Sequence, residues 1–136
     1  MKTTKYLLFF TSLFLLLFSC GVSEEDYPGT YTSINIKNHI DTVFIYKNGT
    51  FERRLYQKSD GKLLVQHGGK WRHEGATIAL IDFYIDQDNV WGKQKKFFPS
   101  DKVEAHFLIT KSFNGDIDIN YGIIPDEQKF IYRKIR

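Results

Sequence analysis

From Tyr27 onward the chain consists of short stretches in which apolar and polar residues alternate. Period-two alternation is typical of β-strands with one buried face, and turn residues interrupt it about every 8–12 residues. The strongest turn signals are Asn48-Gly49 and Asn114-Gly115, because both residue types tolerate positive φ. The pattern predicts nine strands, at residues 31–36, 40–46, 51–57, 63–67, 70–74, 77–84, 103–113, 116–121 and 129–135.

These strands predict an all-β domain over residues 28–136, a single antiparallel meander closed into a barrel of about eight or nine strands. An open sandwich remains the alternative, although closure would remove exposed strand edges. Gly68-Gly69 is interpreted as a turn between two strands, and Trp71 as the floor of the barrel. The predicted inward residues are bulky, which favours a filled interior over a large cavity: Phe44, Leu55, Val65, Trp71, Leu80, Phe107 and Ile119.

The first 19 residues have the features of a bacterial lipoprotein signal peptide. Lys2 and Lys5 precede an uncharged apolar run of 13 residues, at positions 6–18, which is shorter than the ~20 residues of a membrane span. The run ends in Leu-Phe-Ser-Cys, which resembles a lipobox. We therefore expect cleavage after Ser19 and palmitate-type acylation of Cys20, which would anchor the protein to a membrane.

An acidic segment follows Cys20, and residues 20–27 are expected to form the acylated cysteine and a flexible tether. Ser23, Glu24, Glu25 and Asp26 resemble the export signal that directs Bacteroidetes lipoproteins to the outer face of the outer membrane. The expected location is therefore the outer membrane, lipid-anchored and exposed at the cell surface. A periplasm-facing protein is the alternative, because the same composition would also make a simple solvated tether.

Composition and charge exclude several classes of protein. Removal of Lys2 and Lys5 lowers the net charge from +3 to +1, which gives no concentrated basic face for nucleic acid. One cysteine excludes a disulfide framework and a cysteine-based metal site. We expect a monomer with no nucleic-acid partner.

Four short motifs resemble a known family. Residues 27–31 (Tyr-Pro-Gly-Thr-Tyr), 47–51 (Lys-Asn-Gly-Thr-Phe), 69–71 (Gly-Lys-Trp) and 77–80 (Thr-Ile-Ala-Leu) occur in the order found in small lipocalin-like, calycin-type lipoproteins of Bacteroidetes. The closing strands, at 115–119 and 132–135, are similar as well. The resemblance implies a lipocalin-like barrel. The copper-homeostasis relative carries a cysteine pair that this chain lacks, so its metal-sensing role is not carried over.

No catalytic or metal-binding constellation emerges from the residues. His67 and His73 could face each other from neighbouring strands, and Glu104 shares a strand face with His106, but a zinc site needs three converging ligands. We expect no metal, no cofactor and no enzymatic activity.

Residues 85–101 lack a clear period, and long loops of this kind are often functional. Cations beside aromatic rings can bind glycans or proteins, and the candidate contacts in this segment are Trp91, Lys93, Lys95, Lys96, Phe97 and Phe98. Separately, Asp41-Thr42-Val43 resembles the Bacteroidetes O-glycosylation triplet, with Thr42 as the acceptor.

Two hypotheses about function follow. The first is a lipid-anchored cell-envelope binding module for a small apolar ligand, a glycan or an envelope component. The second is a protein-interaction role, as an accessory subunit of a surface complex or as an immunity-type inhibitor of a secreted toxin or hydrolase. A carrier needs a cavity, whereas an inhibitor needs a packed core and an exposed patch.

Overall fold

The computed structural model describes residues 22–84, 102–121 and 130–135. Each strand pairs antiparallel with the next one in sequence, and the last strand returns to the first, so the barrel is closed. This confirms the predicted all-β meander barrel and excludes the open sandwich. No helix within these described ranges is long and apolar enough to cross a membrane. The strands are β1 (Gly29–Ser33), β2 (His39–Ile45), β3 (Thr50–Gln57), β4 (Leu63–Glu74), β5 (Thr77–Tyr84), β6 (Lys102–Lys111), β7 (Ile117–Tyr121) and β8 (Phe130–Lys134).

The barrel has eight strands, and the turn predicted at Gly68-Gly69 is wrong. Both glycines lie inside β4, which runs unbroken and pairs with β3 through them. A Cβ at Gly69 would lie 2.1 Å from the carbonyl oxygen of Ile81 and 2.8 Å from the Phe51 ring. The glycine pair therefore permits a close approach of neighbouring backbones rather than a reversal of the chain.

The two ends of the barrel differ in their connections. One end, here called the hairpin end, carries the turns at residues 46–49, 75–76 and 112–116, and the chain enters the first strand there. The predicted Asn-Gly turns are confirmed, with φ of +81° at Gly49 and +92° at Gly115. The other end, here called the loop end, carries the connections at 34–38 and 58–62 and the described ends of β5, β6, β7 and β8 that flank residues 85–101 and 122–129.

The buried core residues come from every strand except β4, which contributes half-buried ones. Four of the seven predicted inward residues are fully buried: Leu55, Leu80, Phe107 and Ile119. Val65 lies inward but is only half-buried. Trp71 is likewise half-buried; it packs against the core at the hairpin end, and its indole N–H donates to the carbonyl of Tyr46 at 2.7 Å. The assignment of Phe44 was wrong, because that side chain lies on the outer face beneath the guanidinium of Arg54, 4.9 Å from the ring centroid.

Candidate functional site

Three polar side chains lie inside the barrel and bond to one another. The carboxylate of Asp41 accepts hydrogen bonds from the Nη2 of Arg53 at 2.6 Å and from its Nε at 2.9 Å. The Tyr132 hydroxyl donates to the same carboxylate at 2.8 Å. Arg53 is 3% exposed, and the other two side chains are completely buried. These three residues form the interior ion cluster.

The register explains how three strands supply this cluster. Asp41 lies at the middle of β2 and pairs with Leu55 of β3, so Arg53 reaches one step diagonally across that strand pair. Tyr132 lies on β8 and pairs with Ser33 of β1. The curvature of the closed barrel brings the Tyr132 side chain across β1 to the carboxylate.

Burial determines the chemistry of the cluster. A buried charge is tolerated only when a partner and hydrogen bonds replace its lost hydration. The guanidinium of Arg53 also lies 4.7 Å from the ring centroid of Phe83, a cation–π contact. Burial, followed by the neighbouring Asp41 carboxylate, raises the pKa of Tyr132 well above its usual range, so the hydroxyl stays protonated and donates.

A β-bulge places Phe83 beneath the guanidinium. Strict alternation from Leu80 would turn Asp82 inward, but the register of β5 against β6 shifts between Leu80 and Phe83. Asp82 adopts a φ of +68° and is exposed. The bulge thus brings an aromatic ring to the ion pair and keeps a second acid out of the interior.

Two further polar side chains border the cluster toward the loop end. His39 precedes Asp41 by two residues on the same inward face and is 8% exposed. Ser33 of β1 pairs with Tyr132 of β8 in the sheet. Among the described residues, His39 Nδ1 and Ser33 Oγ have no hydrogen-bond partner. Both atoms are buried, and their hydrogen-bonding capacity is unused by the described part of the chain.

Aromatic rings fill much of the remaining interior. Phe83 contacts Phe51 and Phe107 at centroid distances of 6.0 and 5.3 Å, and Phe107 contacts Tyr121 at 5.4 Å. The His67 ring packs edge-on against Phe51 and Phe83. These contacts span β3 to β7, so bulky side chains occupy the middle of the barrel.

A second charged group lies on the outer face of β4 and β6. Arg72 bonds to the carboxylates of both Glu74 and Glu104, and each ring nitrogen of His106 lies near one of those carboxylates, at 3.2 and 3.3 Å. These four residues form the outer ion network. Its two glutamates and its histidine offer ligand atoms within 4.8 Å of one another. Arg72 already bonds to both carboxylates, and the histidine uses a different nitrogen toward each, so the arrangement is that of an ion-pair network rather than a metal site.

The predicted pairing of His67 with His73 is wrong, because both lie on β4 at different levels. His67 packs among interior aromatic rings, whereas His73 lies at the hairpin end, where its Nε2 is 3.0 Å from the Tyr27 hydroxyl. The shared face of Glu104 and His106 is confirmed.

An apolar row crosses the outer face near the loop end. Ile40 pairs with Tyr56, and Tyr56 pairs with Leu63 across the next strand boundary. Ile40 is 44% exposed and Leu63 is 43% exposed, while Tyr56 is half-buried. This row is the outer apolar row.

The segment predicted as a flexible tether has a defined conformation where the structure describes it. Residues Glu24–Asp26 form a turn of 3-10 helix, and the Asp26 carboxylate accepts hydrogen bonds from the backbone N–H and the hydroxyl of Ser23. These bonds lower the pKa of Asp26. Tyr27, placed in the tether by the sequence, belongs to the core.

The remaining predicted site residues divide into two groups. Thr42 lies half-buried on the outer face of β2, between Thr32 and Arg54 in the register. Cys20 and the whole candidate contact group lie outside the described residues: Trp91, Lys93, Lys95, Lys96, Phe97 and Phe98.

The interior ion cluster and its two neighbours were missed in the sequence, and one signal could have revealed them. Leu55 was correctly placed inside, and strand alternation then requires Arg53 inside as well. A buried arginine needs a carboxylate, and Asp41 is the acid in the preceding strand.

No match for the chain is found among protein-family models, curated proteins or solved structures.

Proposed function

We propose that this chain is a lipid-anchored binding module of the cell envelope, without catalytic activity, that holds a small ligand at the loop end of its barrel. The observation that carries the proposal is the interior ion cluster, bordered by the unused hydrogen-bonding atoms of His39 and Ser33. A buried ion pair is a weak source of stability, so its presence in a barrel that apolar residues could fill favours a functional reason.

The chemistry of the interior narrows the ligand. Bulky aromatic rings occupy the middle of the barrel, so we place the ligand toward the loop end. Polar atoms of His39 and Ser33 border that region, so a ligand with a hydrogen-bonding group suits it better than a wholly apolar one. Of the ligands considered from the sequence, a glycan therefore suits the site better than a small apolar molecule.

Two further observations support the anchor and the absence of catalysis. The lipobox and acidic segment support acylation at Cys20 and an outer-membrane location, and the motif resemblance supports a lipocalin-like lipoprotein of Bacteroidetes. The buried carboxylate of Asp41 already accepts bonds from Arg53 and Tyr132, so its lone pairs are engaged rather than directed at a substrate.

A protein-interaction role is the second candidate, and the outer apolar row favours it. Exposed apolar side chains in a contiguous row are a common feature of protein contact sites. Such a partner would bind the outside of the barrel, so the two candidates use opposite faces of β2.

Neighbouring residues of β2 distinguish the two candidates. The acylated protein would be purified from its own membranes and examined by native mass spectrometry, as wild type, His39→Leu and Ile40→Glu. A small adduct that His39→Leu loses and Ile40→Glu retains is the expected result. A co-purified protein lost only in Ile40→Glu would instead support the interaction role. A bare mass in all three would contradict the binding module.

A further inference from the structure

The chain enters the barrel at a fixed place on the hairpin end. Val22 packs against the core, and its carbonyl accepts a hydrogen bond from the Tyr27 hydroxyl at 3.4 Å. The Lys134 ammonium group, at the end of β8, bonds to the carbonyl of Asp26. Tyr31 donates to the carbonyl of Tyr27 at 2.7 Å. The 3-10 turn is thus attached to the hairpin end at both of its sides.

Chain length then limits where the acylated residue can lie. Cys20 is two residues before Val22, and two extended residues span at most ~7 Å. A lipid on Cys20 must therefore lie close to the hairpin end, and the barrel cannot turn its loop end toward the membrane. This step rests on the proposed acylation.

The hairpin end also exposes an aromatic side chain to solvent. Phe113 is the most exposed large apolar residue that the structure describes, at 110% relative exposure. The turn that carries it is closed by hydrogen bonds, since Gly115 donates to the carbonyl of Ser112 and the Asn114 amide donates to Asp116. Ile135, 56% exposed, follows β8 beside this turn. An apolar ring fully exposed to water is unfavourable, whereas a membrane interface would bury it.

We propose that the hairpin end rests on the lipid bilayer, with Phe113 inserted into the interface beside the acylated Cys20. The hairpin end carries charges of both signs, including the exposed Glu24, Glu25 and Lys111. Apolar insertion and the covalent anchor therefore hold this end, and added salt leaves the contact unchanged. The loop end then faces the aqueous phase, so its ligand arrives from water rather than from the bilayer.

Site-directed spin labelling tests the orientation in the full acylated protein. Acylation converts the thiol of Cys20, the one cysteine of the chain, to a thioether, so an introduced cysteine is the only labelling site. Phe113→Cys reports on the hairpin end. Ile34→Cys is the matched control, because Ile34 is 49% exposed in a connection at the loop end. Asn114→Cys retains the phenyl ring and labels the next position.

The labelled proteins would be placed in vesicles of phosphatidylethanolamine and phosphatidylglycerol. The ratio of collisions with oxygen to collisions with a water-soluble nickel complex measures depth in the bilayer. We expect a several-fold higher ratio at positions 113 and 114 than at 34, unchanged by salt. Equal, water-like ratios in a protein that floats with the vesicles would overturn the orientation and leave the anchor intact. A protein that lacks the diacylglyceryl mass and does not float would overturn the anchor, and this proposal with it.

Discussion

The barrel holds two groups of ionised side chains built from the same chemistry in opposite surroundings. In the interior ion cluster, Arg53 bonds to Asp41, and the two side chains are 3% and 0% exposed. In the outer ion network, Arg72 bonds to Glu74, and the two side chains are 48% and 36% exposed. Both pairs have short contacts, so distance alone does not separate them.

Solvent makes the difference between them. In the interior each charge has lost its hydration, and the loss of one partner leaves the other uncompensated. On the outer face water and salt screen the attraction, and the side chains lose entropy when they are held together. The outer ion network has a further role, because Arg72 and His106 flank Ala79 in the register and the network covers this fully buried outward residue.

Removal of one interior partner should have the largest effect. Asp41→Ala leaves the Arg53 guanidinium buried without its carboxylate, and we expect a loss of about 3–5 kcal/mol in the free energy of unfolding. Urea denaturation followed by tryptophan fluorescence would measure it. Glu104→Ala, which removes a carboxylate from the outer ion network, is the matched control and should shift the midpoint far less. Equal shifts would mean that the interior is hydrated.

Removal of the whole interior ion cluster should cost much less than removal of one member. The triple variant Asp41→Leu, Arg53→Met, Tyr132→Phe replaces every buried polar group of the cluster by an apolar one. We expect stability near that of the wild type, or higher by about 1–4 kcal/mol, because no charge remains to be desolvated. The same variant should lose the small-molecule adduct. Retention of that adduct would separate the ion cluster from binding.

Tyr132→Phe removes one charge-assisted hydrogen bond and should cost about 1.5–3 kcal/mol near neutral pH. The variant should also be less sensitive to alkali. Tyrosine ordinarily titrates near 10.0, and burial raises the pKa of folded Tyr132 well above that value. The unfolded chain therefore releases its proton first, and stability falls as pH rises above about 10.

Denaturant midpoints measured between neutral pH and alkaline pH would show whether this slope flattens in Tyr132→Phe. Tyr31→Phe is a useful comparison, because burial also raises the pKa of Tyr31. If Tyr132→Phe kept the full alkaline slope, the titrating group would lie elsewhere.

The sequence predicted the fold well because the barrel depends on signals that are local. Alternation and two Asn-Gly turns are enough to specify a meander, and neither needs knowledge of distant contacts. The turn predicted at Gly68-Gly69 was wrong because a glycine pair in a sequence is the same whether it reverses the chain or permits close packing. Only the approach of Ile81 to Gly69 distinguishes the two.

The site was harder to predict because the choice of which residues of β2 face inward depends on partners far apart in the chain. Phe44 was taken as inward because it is apolar, which by alternation sent Asp41 outward. In the folded protein the buried carboxylate of Asp41 accepts hydrogen bonds from Arg53 of β3 and from Tyr132, which lies 91 residues after Asp41. Considered without these partners, the sequence of β2 favours Phe44 inside and Asp41 outside. The bulge at Asp82 could not be predicted from β5 alone for the same reason. It brings Phe83 beneath Arg53, which is a residue of β3.

The smallest effect should come from Arg72→Ala in the outer ion network. Hydrogen bonding from Arg72 is the main cause that lowers the pKa of Glu74 below its ordinary value of 4.5. A lowered carboxyl pKa contributes stability above the unfolded value, and this contribution is lost as pH falls through the folded value. The difference between wild type and Arg72→Ala should therefore be small at neutral pH and vanish in acid. Added salt should remove it too, because the network is exposed. Denaturation midpoints at two pH values and two salt concentrations would measure this, with Arg72→Lys as the variant that keeps the charge. A large effect that persists in salt would show that the cover over Ala79, rather than the charges, is what the outer ion network contributes.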